Sequence, residues 1–174
     1  KNSHIRKITE DTRIPNKLSQ GITPLKIPYK QEIRIASVNV RGMKEAAKTE
    51  QIIQQMIAHR VDIACLQETK IPDSCIEKRK GHSFIFSSSS TNGKEDWGVG
   101  FCIKNSFEKY RTNYIQVSSN LATMGLSVRG NPLVIISSYI PHDAVLPQQQ
   151  TKRTAAWEEL EETINGITEA KNVI

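Results

Sequence analysis

Val61-Asp62-Ile63-Ala64-Cys65-Leu66-Gln67-Glu68-Thr69-Lys70 runs from an apolar stretch straight into a polar cluster. Five of the six residues from Val61 to Leu66 are apolar. A short apolar run of this kind predicts an inner strand buried on both faces, with its end delivering the Glu68 carboxylate to the edge of a sheet. Upstream, Ile33-Arg34-Ile35-Ala36-Ser37-Val38-Asn39-Val40-Arg41-Gly42 has the same form and ends on Asn39. Between the two, Ala46, Ile53, Met56 and Ile57 recur at helical spacing and predict a helix over 44–59 with those residues on its buried face. Residues 32–40, 44–59 and 61–67 therefore make a strand–helix–strand unit, whose crossover suits parallel or near-neighbour strands.

Downstream the pattern shortens to β-type runs at about 82–88, 97–104, 111–118, 121–128 and 132–139. Asn92-Gly93 and Gly130-Asn131 are turn signals, the second joining two strands as a hairpin. A second helix is expected near 148–165, with Trp157, Leu160, Ile164 and Ile167 as its buried stripe and Asn165-Gly166 as its stop. Lys171-Asn172-Val173-Ile174 reads as the start of another strand. The sum is a mixed α/β chain of mostly antiparallel strands packed in two layers, with helices outside.

With 37% hydrophobic and 24% charged residues over 174 positions, the composition is that of an ordinary globular protein. No apolar run approaches the ~20 residues of a membrane span, and the first thirty residues contain no apolar core of a secretory signal. Cys65, Cys75 and Cys102 have neither disulfide-framework nor metal spacing, which points to a reducing, intracellular compartment. Residues 1–30 hold seven basic and two acidic side chains, leaving a net charge of only +1 for the rest. These charges are dispersed and lack interleaved aromatics. Residues 1–31, with Pro15, Pro24 and Pro28, thus read as a disordered basic tail more simply than as a polyanion-binding arm.

The chemistry concentrates at strand ends. A carboxylate at the end of an apolar strand must be solvated, paired or cation-bound. Mg²⁺ uses few carboxylates, keeps waters and draws its remaining ligands from phosphate, which suits Glu68. On Glu68 alone, pairing with Lys70 or another base is the simpler reading. Asn39 can hold a carboxylate, a metal-bound water or a phosphate oxygen, or can simply form a turn ahead of Gly42. Trp97-Gly98-Val99-Gly100-Phe101 places two glycines inside a strand, a mark of a bulge or a close backbone approach. In Ser138-Tyr139-Ile140-Pro141-His142-Asp143, the Tyr139 hydroxyl can donate to a phosphate oxygen, and His142 can do so or shuttle a proton. His59 reads as a helix-terminal residue, and His4 and His82 as surface residues.

In order, four segments resemble the endonuclease/exonuclease/phosphatase superfamily, in its apurinic-endonuclease-like branch. They are Ser37-Val38-Asn39-Val40-Arg41-Gly42, Leu66-Gln67-Glu68-Thr69-Lys70, Gly98-Val99-Gly100-Phe101 and Ser138-Tyr139-Ile140-Pro141. The Gln-Glu-Thr-Lys and Tyr-x-Pro-His forms are most similar to endonuclease domains of non-LTR retrotransposons. The resemblance covers residues 32–174 and implies a four-layer sandwich of two β-sheets flanked by helices. It implies phosphodiester hydrolysis on DNA, with Glu68 and Asn39 in the shell of Mg²⁺ or Mn²⁺. Asn39 and Tyr139 would meet the scissile phosphate. His142 would stand where many members place an Asn. Such a product would be intracellular, and nuclear if made by a retrotransposon.

The family pattern continues into a Gly-Asp-x-Asn motif and later a Ser-Asp-His motif, and neither occurs in this sequence. The expectation is therefore the N-terminal part of a catalytic domain, inactive by itself, with apolar sheet edges left exposed. A degenerate remnant, or a relative acting on RNA or another phosphoester, are the alternatives.

Overall fold

The computed structural model describes residues 5–7, 32–91, 94–95, 97–141 and 147–171. The expected tail over 1–31 lies outside them except for Ile5–Lys7. The elements run in chain order β1 (Ile5–Lys7), β2 (Ile35–Asn39), α1 (Ala46–Ala58), β3 (Ile63–Gln67), β4 (Cys75–Arg79), β5 (His82–Phe86), β6 (Ser90–Thr91), β7 (Lys94–Glu95), β8 (Val99–Lys104), α2 (Asn105–Glu108), β9 (Arg111–Gln116), β10 (Leu121–Val128), β11 (Asn131–Ser138) and α3 (Pro147–Lys171).

Two sheets carry the fold. The larger has the order β1-β4-β5-β8-β3-β2, the smaller the order β11-β10-β9, and β6 and β7 form a separate short ribbon. Among the described residues only β2 and β3 pair in parallel, joined by α1 as their spacing requires; every other pairing there is antiparallel. This is the expected two-sheet α/β architecture. Pro132 falls in β11, at the edge of the smaller sheet, where a missing N–H is tolerated.

The buried run of β3 explains how the layers stack, because alternate side chains feed different cores. Ile63 and Cys65 join Ile85, Val99, Phe101 and Ile103 against Ala122, Met124, Leu126 and Ile135 of the smaller sheet. Ala64 and Leu66 join Phe84, Phe86 and Cys102 against Ile52, Ile53 and Met56 of α1. A strand buried on both faces has no polar side to show, hence its unbroken apolar sequence. Cys65, Cys75 and Cys102 are free and buried. Burial raises Cys65 and Cys75 to about 11, which keeps them as unreactive thiols.

Five expectations need correction. The buried face of α1 is Thr49, Ile52, Ile53 and Met56; Ala46 is exposed and Ile57 is 58% exposed. The apolar arc is wider than the contact, and packing selects one side of it. In α3, Trp157 and Ile164 are 52% and 46% exposed, so the predicted stripe is rotated. Ala156 is buried, and Leu160, Thr163 and Ile167 continue its row half-buried. Glu159 ties this helix to the loop after β9 by accepting from Ser118 Oγ at 2.7 Å. The helix also passes through Asn165-Gly166 to Lys171; the ~1 kcal/mol penalty of one glycine does not stop it. Lys171 is thus helical and not a strand start, while residues 172–174 lie outside the described residues, as does Asn92-Gly93. Finally, His82 is 5% exposed, its Nδ1 3.3 Å from the Lys80 carbonyl, and is no surface residue. His59 does end a helix, as the C-cap of α1.

Candidate functional site

Parallel pairing sets the site. Asn39 is in register with Gln67, so the carboxyl ends of β2 and β3 are level and Glu68 follows one residue later. The two exits then run side by side. The Val40, Gly42 and Met43 N–H groups donate to the carbonyls of Gln67, Glu68 and Thr69 at 2.9, 2.7 and 2.8 Å. On its other side the Glu68 loop is bound by the approach to β8, where the Thr69 and Lys70 N–H groups donate to Gly98 and Trp97 carbonyls, both at 3.0 Å.

Threading a chain between two neighbours in this way demands unusual backbone. Five non-glycine residues have positive φ among the described residues, and three of them are here: Arg41 at 51°, Glu68 at 56° and Lys70 at 54°. Each costs about 1–2 kcal/mol relative to ordinary backbone. Such strain persists where surrounding bonds over-determine it, and it concentrates at functional sites. Gly98, at φ +71°, permits the closest approach: a Cβ there would lie 2.6 Å from Thr69 Oγ1 and 2.9 Å from Ser89 Cβ. At Gly100 a Cβ would lie 2.5 Å from the Ile85 carbonyl oxygen. The glycine pair thus marks the close packing its sequence announced.

Asn39 Nδ2 donates to Glu68 Oε1 at 2.6 Å, and its Oδ1 accepts from the Arg41 N–H at 3.2 Å. Both ends of the amide are engaged, so Asn39 orients the carboxylate and the Arg41 turn together. The alternative pairing of Glu68 with Lys70 is not formed among the described residues; the Lys70 ammonium lies 5.3 Å from the centroid of the Trp97 ring instead. Tyr139 arrives from the other sheet, one residue after β11, its N–H held by the Asn120 carbonyl at 2.9 Å. Beneath it the buried Ser137 Oγ donates to the Leu66 carbonyl at 3.2 Å, joining β11 to β3 just below the site. The Tyr139 phenol is raised above its ordinary value by burial, then by the Glu68 charge, and by the hydrogen bond it donates to that carboxylate. It therefore stays a neutral donor at physiological pH.

Asn39, Glu68 and Tyr139, each expected at a strand end, lie together here. His142 lies outside the described residues. In the sequence Lys70 stands out only as a counter-charge for Glu68 and as the end of the Gln-Glu-Thr-Lys form, and Trp97 only as the residue that opens the glycine-bearing run. Among the described residues no group of three His, Cys, Asp or Glu forms a ready metal cage. The donor chemistry, one carboxylate oriented by an amide, fits a hard cation that keeps most of its waters. Asn39 is exposed, Glu68 half-buried and Tyr139 only 8% exposed, so the site opens to solvent on its Asn39 side.

A model of the family described as Endonuclease/Exonuclease/phosphatase matches residues 36–174. No curated protein matches the chain. Among solved structures, one similar fold is the endonuclease domain of TRAS1, a telomere-specific non-LTR retrotransposon, with a TM-score of 0.52 and 15% identity over 78% of this chain and 54% of that one. Another is the AP endonuclease LMAP from Leishmania major, with a TM-score of 0.55 and 16% identity over 75% of this chain and 47% of that one. The chain spans about half the length of these structures. No helix among the described residues is long and apolar enough to cross a membrane.

Proposed function

The chain belongs to the endonuclease/exonuclease/phosphatase family, and from that membership we propose that it carries the cation- and phosphate-binding part of a divalent-metal-dependent DNA endonuclease site. The observation that best supports this reading is the convergence of Asn39, Glu68 and Tyr139 from both sheets onto one strained, hydrogen-bonded surface.

Glu68 would hold Mg²⁺ or Mn²⁺, with Asn39 fixing its carboxylate. A cation bound there would neutralise phosphate charge. Tyr139 is kept protonated, the form a phosphate acceptor needs. Arg41 and Lys70 flank the carboxylate and give the rim positive charge toward a polyanion. A site open on its Asn39 side suits a polymer better than a small molecule, which would be enclosed. His142 is retained in this reading as a phosphate or proton partner.

The site holds one carboxylate among the described residues, and neither the Gly-Asp-x-Asn nor the Ser-Asp-His motif, which in the family would orient the attacking water, occurs in the sequence. The 174-residue chain should therefore bind DNA in a metal-dependent way without cutting it. The test is fluorescence anisotropy with a labelled duplex, titrated with and without Mg²⁺, beside a supercoiled-plasmid nicking assay. Mg²⁺-dependent binding that weakens in Glu68→Gln and Tyr139→Phe is expected, with no nicking. Binding indifferent to Mg²⁺ and to both substitutions would overturn the site assignment. Nicking by the purified chain that disappears in Glu68→Gln would overturn the inactivity.

A further inference from the structure

We propose that Trp97 is the positioning residue of this site, the ring that supports the Tyr139 phenol beside Glu68 and holds the Lys70 ammonium over its own face, a role that rests on the phosphodiester reading above. Tyr139 needs such a support. Its backbone N–H is fixed to Asn120, but its ring must reach from the smaller sheet across to the end of β3. The Trp97 ring stands 5.3 Å from it, centroid to centroid, tilted by 42°. That geometry lies within the favourable range for aromatic pairs and favours the phenol position beside Glu68.

The same indole carries the Lys70 ammonium at 5.3 Å from its centroid. No carboxylate pairs with Lys70 among the described residues, so the ring is what places this charge. A cation held by a ring quadrupole is held more weakly than one hydrogen-bonded to a phosphate oxygen. Lys70 is thus parked near the site and free to transfer to an arriving phosphodiester.

Trp97 itself is anchored by backbone. Its carbonyl accepts the Lys70 N–H, and the next carbonyl, of Gly98, accepts the Thr69 N–H, each at 3.0 Å. The close seat of Gly98 against Thr69 removes slack from that connection. Ring, lysine and glutamate are therefore set by one short rigid segment, and Tyr139 is added to it by the stack. A core-filling role is the competing explanation, since Trp97 also packs at the margin of the inter-sheet core.

The test uses the full 174-residue chain without DNA or metal, so its failure leaves the phosphodiester reading standing, and failure of DNA binding leaves this test intact. The readout is the fluorescence of Trp97 itself. The sequence has two tryptophans, so Trp157→Phe, made on an exposed face of α3, leaves Trp97 as the sole emitter. In that background Lys70→Met and Tyr139→Leu should each shift the Trp97 emission, since one removes the cation over the ring and the other the ring stacked on it, whereas a tryptophan that only filled the core would not sense the Lys70 charge. Emission unmoved by Lys70→Met, or by Tyr139→Leu, overturns the proposal.

Discussion

Replacing Gly98 with alanine should destabilise the fold by about 2–4 kcal/mol, and two separable terms produce that figure. Gly98 sits at φ +71°, where an L side chain costs roughly 1–2 kcal/mol. The added methyl would also lie 2.6 Å from Thr69 Oγ1 and 2.9 Å from Ser89 Cβ. Both neighbours are buried, and overpacking of this kind costs about 1–3 kcal/mol. The terms do not add fully, because a backbone shift that relieves the clash also relaxes φ. Gly42 separates them: its φ is +106°, but a Cβ there meets nothing within 4 Å. Gly42→Ala should therefore show only the conformational term, about 1–2 kcal/mol. Urea denaturation of both variants reads the difference directly, and at a slope of about 1–3 kcal/mol per molar, Gly98→Ala should move the midpoint by roughly 1–2 M. Equal losses in the two variants, or a Gly98→Ala loss below about 0.5 kcal/mol, would refute the close-packing argument.

Ser137→Ala removes the buried bond to the Leu66 carbonyl and should cost about 1 kcal/mol, read from the same urea midpoints. Asn39→Ala should leave stability nearly unchanged, since that side chain is exposed, yet weaken Mg²⁺ affinity by about tenfold through loss of carboxylate orientation, measured by calorimetry. Tyr114 is pushed up to about 12, first by burial, so the native chain holds its proton where the unfolded chain has released it. Stability from this group is thus fully present below pH 10 and lost as pH rises from about 10 to 12, a total of roughly 2–3 kcal/mol. The buried thiols lose stability in the same direction, so the Tyr114 share is the part of the alkaline loss that Tyr114→Phe abolishes in urea melts at stepped pH.

The strand–helix–strand unit was legible because β3 is apolar on both faces and α1 has helical spacing, and only one arrangement buries both. The convergence at its end was legible for the same reason: once the strands are parallel, Asn39 is level with Gln67 and Glu68 follows one residue later. The α3 stripe was misread because Trp157, Leu160 and Ile164 make a regular apolar row, whereas the contact runs through Ala156 and Thr163, residues too small or too polar to signal burial. β4 was missed because Glu77, Lys78 and Arg79 hide its alternation, and it becomes a strand by pairing with β5. Trp97 could not be assigned from sequence, since its partners come from another loop and from the other sheet.

Calorimetric titration of Mg²⁺ into the 174-residue chain and into Glu68→Gln tests the account most directly. The reading predicts saturable binding to the chain and a loss of at least about tenfold in affinity in Glu68→Gln, because one carboxylate supplies the protein's charge to the ion. Identical isotherms for the two proteins would contradict the assignment of Glu68 and, with it, the cation site on which the proposed function depends.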